Sequence, residues 1–139
     1  MKTNLTSLML EHTLVSTLLT KKIDTSLSAH GVSYTEFVII HRLNTSTGGS
    51  LSRIALADSV GLTASGITRL LAPMEKNNIV LKVANPRDAR QSLVGLTPVG
   101  EQLYKDASVS FEHCCEAAFS LFEGDEIELL RKLVNKIKC

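Results

Sequence analysis

Two short stretches of the sequence carry side chains that could bind a nucleic acid. In the first, hydroxyl and guanidinium side chains lie one to three residues apart: Thr63, Ser65, Thr68 and Arg69. In the second, two arginines flank an aspartate: Arg87, Asp88 and Arg90. Ser and Thr hydroxyls bind phosphates or base edges, and an arginine fork binds a phosphate or a guanine. We therefore predict that the partner is double-stranded DNA.

The residues around the first stretch have the spacing of a helix-turn-helix. Ala57 is small enough for a second helix to approach, Gly61 can adopt the positive φ of the turn, and Ile67 can fill the angle between the helices. We predict one helix over residues 51–59 and a second over residues 64–77. The buried face of the second helix is predicted to hold four apolar residues: Ile67, Leu70, Leu71 and Met74.

A two-stranded ribbon follows the second helix. Asn77 and Asn78 can end that helix in a left-handed conformation. Residues 79–84 and 93–96 are rich in apolar and β-branched side chains, which predicts two strands joined by a charged turn over residues 85–90. Together these elements predict a winged helix-turn-helix, a shape that places one helix in the DNA major groove.

Long helices are predicted on both sides of this motif. Apolar residues recur near every 3.6 positions over residues 5–29, and Gly31 can end that helix. Ser33 and Glu36 form a capping-box pattern for a helix over residues 34–43, and a loop is predicted over residues 44–50. Thr97 and Pro98 start another long helix, which runs to about residue 122, and a last helix starts at Asp125. The predicted fold class is mostly α with a small β-wing.

Composition limits the class of protein. The chain has 139 residues, of which 44% are hydrophobic, so one domain with a sizeable core is expected. No apolar run approaches the ~18 residues of a membrane span, and no secretory signal is recognisable, so we expect a cytoplasmic protein without a membrane partner. The net charge is +1, but residues 51–97 carry +3 and residues 98–139 carry −3. The positive potential therefore lies on the predicted DNA-binding segment.

Other kinds of chemistry have weak support. His12, His41 and His113 could approach one another, but they lack metal-ligand spacing, and helix-packed histidines are the favoured interpretation. Cys114 and Cys115 could form a thiol sensor, but one of two adjacent helical cysteines must face inward, where a thiol is inert. No paired carboxylates, phosphate loop or nucleophile elbow is recognisable. We therefore expect no metal, no cofactor and no enzymatic activity.

The chain resembles the MarR family of bacterial transcription regulators. The matching segments are Leu62–Arg69, Glu75–Lys76 leading into Ile79–Val80, the wing signature Asp88-Ala89-Arg90, and Val94–Gly100. The order of helices agrees over essentially the whole chain. One departure is Asn78, which stands where the family usually has glycine.

The resemblance implies a homodimer that binds pseudo-palindromic DNA. One MarR-like domain would span residues 1–139, with a DNA-binding lobe over 34–97 and a dimerisation region formed by residues 1–30 and 98–139. By position, Arg90 would enter the minor groove and Asp88 would brace the wing. A small-molecule effector would bind between the lobe and the dimerisation helices, next to five residues: His12, Phe37, Val38, His41 and Phe111.

Each of these roles has a plainer alternative. Arg69 could pair with a carboxylate of its own domain, and Ser65 and Thr68 could be ordinary exposed helix residues. Arg87 and Arg90 could be solvated surface charges. The predicted function is a sequence-specific DNA-binding regulator, most simply a ligand-responsive repressor. The alternative is a winged-helix module that binds other proteins and does not touch DNA.

Overall fold

Helices dominate the chain, as predicted. The structure is a computed structural model that describes residues 4–139. Its helices are α1 (Leu5–Leu27), α2 (Tyr34–Thr45), α3 (Arg53–Val60), α4 (Ala64–Lys76), α5 (Pro98–Ala118) and α6 (Gly124–Val134). Its strands are β1 (Ser50–Ser52), β2 (Val80–Ala84) and β3 (Ser92–Leu96). Short 3₁₀ turns follow α1 and α2. The predicted fold class, mostly α with a small β-wing, is confirmed.

Local sequence signals set the helix ends. Ser33 and Glu36 form the predicted capping box at the start of α2, with each side chain accepting a hydrogen bond from the other residue's backbone N–H. Gly31 has a φ of 75° and ends the turn after α1. Asn78 has a φ of 60°, a conformation that asparagine tolerates better than most residues. The left-handed turn predicted after α4 is therefore present without a glycine.

The sheet has three strands, one more than the sequence predicted. Their order is β1-β3-β2, and both pairings are antiparallel. The additional strand is β1, in which Leu51 pairs with Val94. The sequence predicted a loop over residues 44–50 and a helix from residue 51, so β1 replaces the end of that loop and the start of that helix. Three residues are too few to show a period of two in the sequence. The third strand attaches the wing to the start of α3.

Most of the core lies inside the predicted DNA-binding lobe, and Leu27 of α1 joins it. Its largest fully buried side chains are Leu27, Ile39, Ile40, Leu43, Leu56, Ile67, Leu71, Met74 and Val94. Each contributes on the order of 1.5–3 kcal/mol relative to an exposed position. One expectation is corrected, because Leu70 is half-buried. In α3, Ile54 is 65% exposed. Residues Arg53–Val60 form only two turns, and packing against α4 uses Leu56 and Ala57 instead.

The outer helices leave large apolar surfaces uncovered. In the N-terminal part of α1 these residues are Leu5, Leu8, Met9, Leu10, Leu14, Val15 and Leu18. In α6 and just after it they are Ile127, Leu129, Leu130, Leu133, Val134 and Ile137. Helix α5 ends at Ala118, earlier than predicted, and Phe119 and Phe122 pack edge to face in the turn that follows. Within residues 4–139, no single helix is long and apolar enough to cross a membrane; the bent pair α3 and α4 passes that test together.

Candidate nucleic-acid interface

Helix α4 presents a polar face away from the core. Its start is capped by Thr63, whose Oγ1 accepts a hydrogen bond from the Gly66 N–H at 3.1 Å. The same Oγ1 lies 3.3 Å from the Ser65 hydroxyl. Ile67, Leu71 and Met74 are buried on the inner side. All four side chains predicted to contact DNA from this segment are exposed: Thr63, Ser65, Thr68 and Arg69.

The Arg69 guanidinium forms no ion pair with a carboxylate of residues 4–139. Among the described residues, two ion pairs form, Arg53 with Glu75 and Arg90 with Asp88, and neither includes Arg69. The interpretation in which Arg69 pairs within its own domain therefore gains no support from residues 4–139. Its charge remains available to a phosphate or a base.

Hydrogen bonds of two side chains to the backbone shape the wing turn. The Asn85 Oδ1 accepts from the Arg87 N–H at 2.9 Å, and the Asp88 Oδ1 accepts from the Arg90 N–H at 3.0 Å. The Asp88 Oδ1 also lies 3.5 Å from the Arg90 Nε. Asp88 thus contacts the Nε edge of the Arg90 guanidinium, while the Arg90 side chain stays 95% exposed. This geometry fits the bracing role expected of Asp88.

A second ion pair, which the sequence did not predict, joins the two helices of the motif. The Arg53 Nη2 donates to the Glu75 Oε1 at 3.1 Å. Arg53 is the first residue of α3 and Glu75 lies in the last turn of α4. The two residues are 22 positions apart, so no local spacing rule connects them. The sequence did contain one signal for this ion pair: Arg53 and Glu75 carry opposite charges and lie at the ends of two helices that were predicted to pack together.

Thr97 connects the end of α4 to the start of α5. Its buried hydroxyl donates to the Asn78 carbonyl at 2.6 Å and accepts from the Gly100 N–H at 2.9 Å. A Cβ on Gly100 would lie 2.2 Å from the Ile79 carbonyl oxygen, so the close approach requires glycine. The predicted DNA-binding lobe and α5 therefore meet at a tight contact made by backbone atoms.

A cavity of about 410 Å³ lies between α2 and α5. Its lining is Tyr34, Phe37, Val38, His41, Arg42, Tyr104, Ser108, Phe111 and Glu112. Four of the five predicted pocket residues are among these. His12 is not: it is exposed on α1 and does not line this cavity. Periodicity cannot place His12, because the N-terminal part of α1 projects beyond the core.

The polar and aromatic groups of the cavity are partly connected. The His41 Nδ1 lies 2.7 Å from the Tyr104 hydroxyl, and the Phe37 and Phe111 ring centroids are 4.8 Å apart. The Ser108 Oγ is buried without a hydrogen-bond partner among the described residues. Sequence analysis missed Tyr104, because its role depends on which face of α5 meets α2. A pocket with aromatic walls and a few polar groups is typical of a small-molecule site.

Cys115 is poorly suited to sensing. Burial raises the pKa of the Cys115 thiol, and the neighbouring Cys114 raises it further. A raised pKa lowers the fraction of reactive thiolate. Burial likewise raises the pKa of Tyr34 in the cavity. Within residues 4–139, no group of three or more His, Cys, Asp or Glu side chains could hold a metal.

Comparisons with known proteins agree on one family. A family model described as MarR family matches residues 32–92. The transcriptional regulator HosA of Escherichia coli O111:H- is 29% identical over 87 residues, 63% of this chain and 64% of that protein.

Solved structures show the same fold. A MarR-like transcription regulator from Bacillus cereus has a TM-score of 0.83 at 28% identity, covering 96% of this chain and 94% of the other. Sco3205, a MarR-family regulator from Streptomyces coelicolor solved with DNA, has a TM-score of 0.86 at 20% identity. That match covers 94% of this chain and 82% of Sco3205, and at this identity it supports the fold alone.

Proposed function

We propose that this chain is a MarR-family transcription regulator, as the family model over residues 32–92 supports, and that it is a ligand-responsive repressor. It acts as a homodimer on a pseudo-palindromic stretch of double-stranded DNA. The observation that carries the proposal is the pairing of an exposed polar face on α4 with a wing arginine, Arg90, that Asp88 orients. A helix of this kind reads the major groove, and an exposed arginine on a wing suits the adjacent minor groove.

The homodimer is supported by the apolar surfaces of the outer helices. Helix α6 has no buried residue in the isolated chain, although one of its faces is apolar. Exposed apolar areas of this extent usually mark an interaction surface. A second copy of the same chain covers both α1 and α6 in one symmetric interface, as in most soluble oligomers.

Ligand response is supported by the cavity between α2 and α5. Because α2 packs in the DNA-binding lobe and α5 leads away from it, an occupant of the cavity contacts both parts. A ligand that prefers one arrangement of these helices shifts the population toward it. In that arrangement the distance between the two recognition helices of the dimer no longer matches the distance between successive major grooves, and the dimer releases its DNA.

Fluorescence anisotropy tests the DNA-binding part directly. We expect the protein to bind duplex DNA from upstream of its own gene more tightly than an unrelated duplex, with an affinity that falls as salt rises. Arg90→Ala should weaken the specific complex by about 1–3 kcal/mol if the side chain makes a specific groove contact. Arg87→Ala, which removes the same charge nearby, is the matched control and should affect both duplexes equally.

Two results would contradict the proposal. Equal affinity of the wild type and Arg90→Ala for the specific duplex, at fixed salt, would remove the wing from DNA recognition. Failure of the wild type to bind either duplex would favour the protein-interaction alternative. A reporter gene placed behind the same upstream DNA tests repression, since its expression should rise when the protein is absent.

A further inference from the structure

The cavity between α2 and α5 has two distinct ends, because the two helices run antiparallel along it. At one end Tyr34, the first residue of α2, faces Phe111, and the ring centroids are 5.7 Å apart. At the other end the His41 Nδ1 lies 2.7 Å from the Tyr104 hydroxyl. From residue 34 to residue 41 the helix rises by about 10 Å, at about 1.5 Å per residue. The cavity is therefore long enough to hold two different groups of one small molecule apart.

A charge of opposite sign lies at each end of the cavity. Arg42 follows His41 in α2, Glu112 follows Phe111 in α5, and both line the cavity. Both residues are exposed, so a ligand can reach their charged groups. Among residues 4–139, neither of them takes part in an ion pair. The cavity therefore presents an unpaired guanidinium at one end and an unpaired carboxylate at the other.

Aromatic side chains form the wall between these two charges. The Phe37 ring centroid lies 4.8 Å from that of Phe111 and 5.7 Å from that of Tyr104. A flat ring of a ligand can stack on such a surface. At the carboxylate end, the Tyr34 and Phe111 rings also attract a cation through their negative faces. The rings and the Glu112 carboxylate thus favour the same charge on a ligand.

The opposite end is suited to an anion. The Arg42 guanidinium can bind a carboxylate or a phosphate through charge-assisted hydrogen bonds. The neighbouring His41 adds a second donor. When the Tyr104 hydroxyl donates to the His41 Nδ1, the imidazole proton lies on Nε2, which can then donate to an anion. The two ends of the cavity therefore select groups of opposite charge.

We propose that the ligand of this cavity is an aromatic small molecule with an anionic group at one end and a cationic group at the other. Its anion binds Arg42, its ring stacks on Phe37, and its cation binds Glu112. This inference rests on the proposed ligand response and names the class of ligand. Because Arg42 belongs to α2 and Glu112 to α5, a molecule with both charges holds the two helices together. A molecule with one charge is anchored to only one of them.

Isothermal titration calorimetry with three matched probes tests the ligand class. The first probe, para-(aminomethyl)benzoate, carries both charges across one benzene ring. The other two, para-methylbenzoate and para-methylbenzylamine, carry one charge each on the same ring. The doubly charged probe should bind at least about tenfold more tightly than either of the others, since one further hydrogen bond to a charged group changes affinity by about that factor.

Two substitutions assign each charge of the probe to its end of the cavity. Glu112→Gln should weaken binding of the doubly charged probe by about tenfold and leave that of para-methylbenzoate unchanged. Arg42→Gln should weaken binding of the doubly charged probe to a similar extent and leave that of para-methylbenzylamine unchanged. Glu116→Gln and Lys105→Gln remove exposed charges of α5 that do not line the cavity. These matched controls should bind all three probes as the wild type does.

The outcomes distinguish this inference from the proposed function. Equal affinity of the wild type for all three probes, or no binding of any of them, would overturn the ligand class. An equal loss of affinity for all three probes in Glu112→Gln or Arg42→Gln would show a structural role and overturn it as well. Fluorescence anisotropy with the upstream duplex tests the proposed function separately. A doubly charged probe that binds as expected but leaves the DNA complex intact would contradict the ligand response and support the ligand class.

Discussion

Asp88 makes two contacts with Arg90, and they require different properties of its side chain. The bond from the Arg90 N–H needs an oxygen acceptor, which asparagine also supplies, whereas the 3.5 Å contact with the Arg90 Nε needs a negative charge. An ion pair in which one partner is almost fully exposed contributes little, about 0–1 kcal/mol. The geometry therefore assigns the larger share of wing ordering to the backbone hydrogen bond.

Paired substitutions of Asp88 test this division. We expect Asp88→Asn to weaken DNA binding by less than about 1 kcal/mol, because the turn is kept. Asp88→Ala should weaken it by about 1–2 kcal/mol, because the turn hydrogen bond is lost as well. Fluorescence anisotropy with the upstream duplex measures both. Equal losses in the two variants would show that charge, not the turn, is what Asp88 supplies.

The reactivity of Cys115 can be predicted from its surroundings. Because burial and the neighbouring Cys114 raise its pKa, less of it is thiolate at any pH below that pKa. Cys139, in contrast, is exposed. We expect iodoacetamide at about pH 8 to alkylate Cys115 more slowly than Cys139, and the rate at Cys115 to keep rising with pH. Mass spectrometry of timed digests gives both rates, and faster labelling of Cys115 would restore the thiol-sensor interpretation.

At the scale of elements, the contact between the α4–β2 turn and α5 depends on one glycine. An added methyl group at Gly100 would meet the Ile79 carbonyl oxygen at 2.2 Å, and backbone cannot move away as a side chain can. We expect Gly100→Ala to lower the free energy of unfolding by about 3 kcal/mol or more. Gly124→Ala is the matched control, since a Cβ there meets nothing within 4 Å. Urea unfolding at one protein concentration compares them, and similar midpoints would contradict the clash.

The sequence predicted elements that depend on local signals and missed those that depend on distant partners. The capping box of α2, the turn at Asn78 and the polar face of α4 all follow from neighbouring residues. Strand β1 forms because β3 lies beside it, and the pair of Arg53 with Glu75 forms because α3 and α4 meet at a set angle. His12 stays a prediction: it does not line the cavity between α2 and α5, and nothing local in the sequence fixes where an exposed residue of α1 lies.

At the scale of the whole molecule, the charge and the apolar surface are separated. The segment from 51 to 97 is positive and carries the side chains predicted to face DNA, whereas the acidic segment from 98 to 139 carries the uncovered face of α6. This separation suits a dimer whose acidic helices lie away from DNA and whose two positive lobes face it. In the proposed dimer each lobe contacts one half-site, so we expect affinity to depend on the dimer as well as on each lobe.

Substitution of the α6 surface tests that dependence. Leu130 and Val134 are four residues apart, so they lie on one face of α6, and both are exposed in the isolated chain. We expect Leu130→Glu with Val134→Glu to shift the protein to a monomer in analytical ultracentrifugation, because carboxylates buried in an apolar interface lose their hydration. Leu81→Glu, at an exposed apolar position on β2 outside the predicted dimerisation region, is the control and should remain dimeric. The monomer should bind the upstream duplex at least about a hundredfold more weakly, since the two lobes that bind the two half-sites are no longer held together.

Two outcomes would contradict this prediction. A folded double variant that stays dimeric would exclude α6 from the interface. A double variant that is monomeric but binds DNA as tightly as the wild type would show that a single lobe suffices.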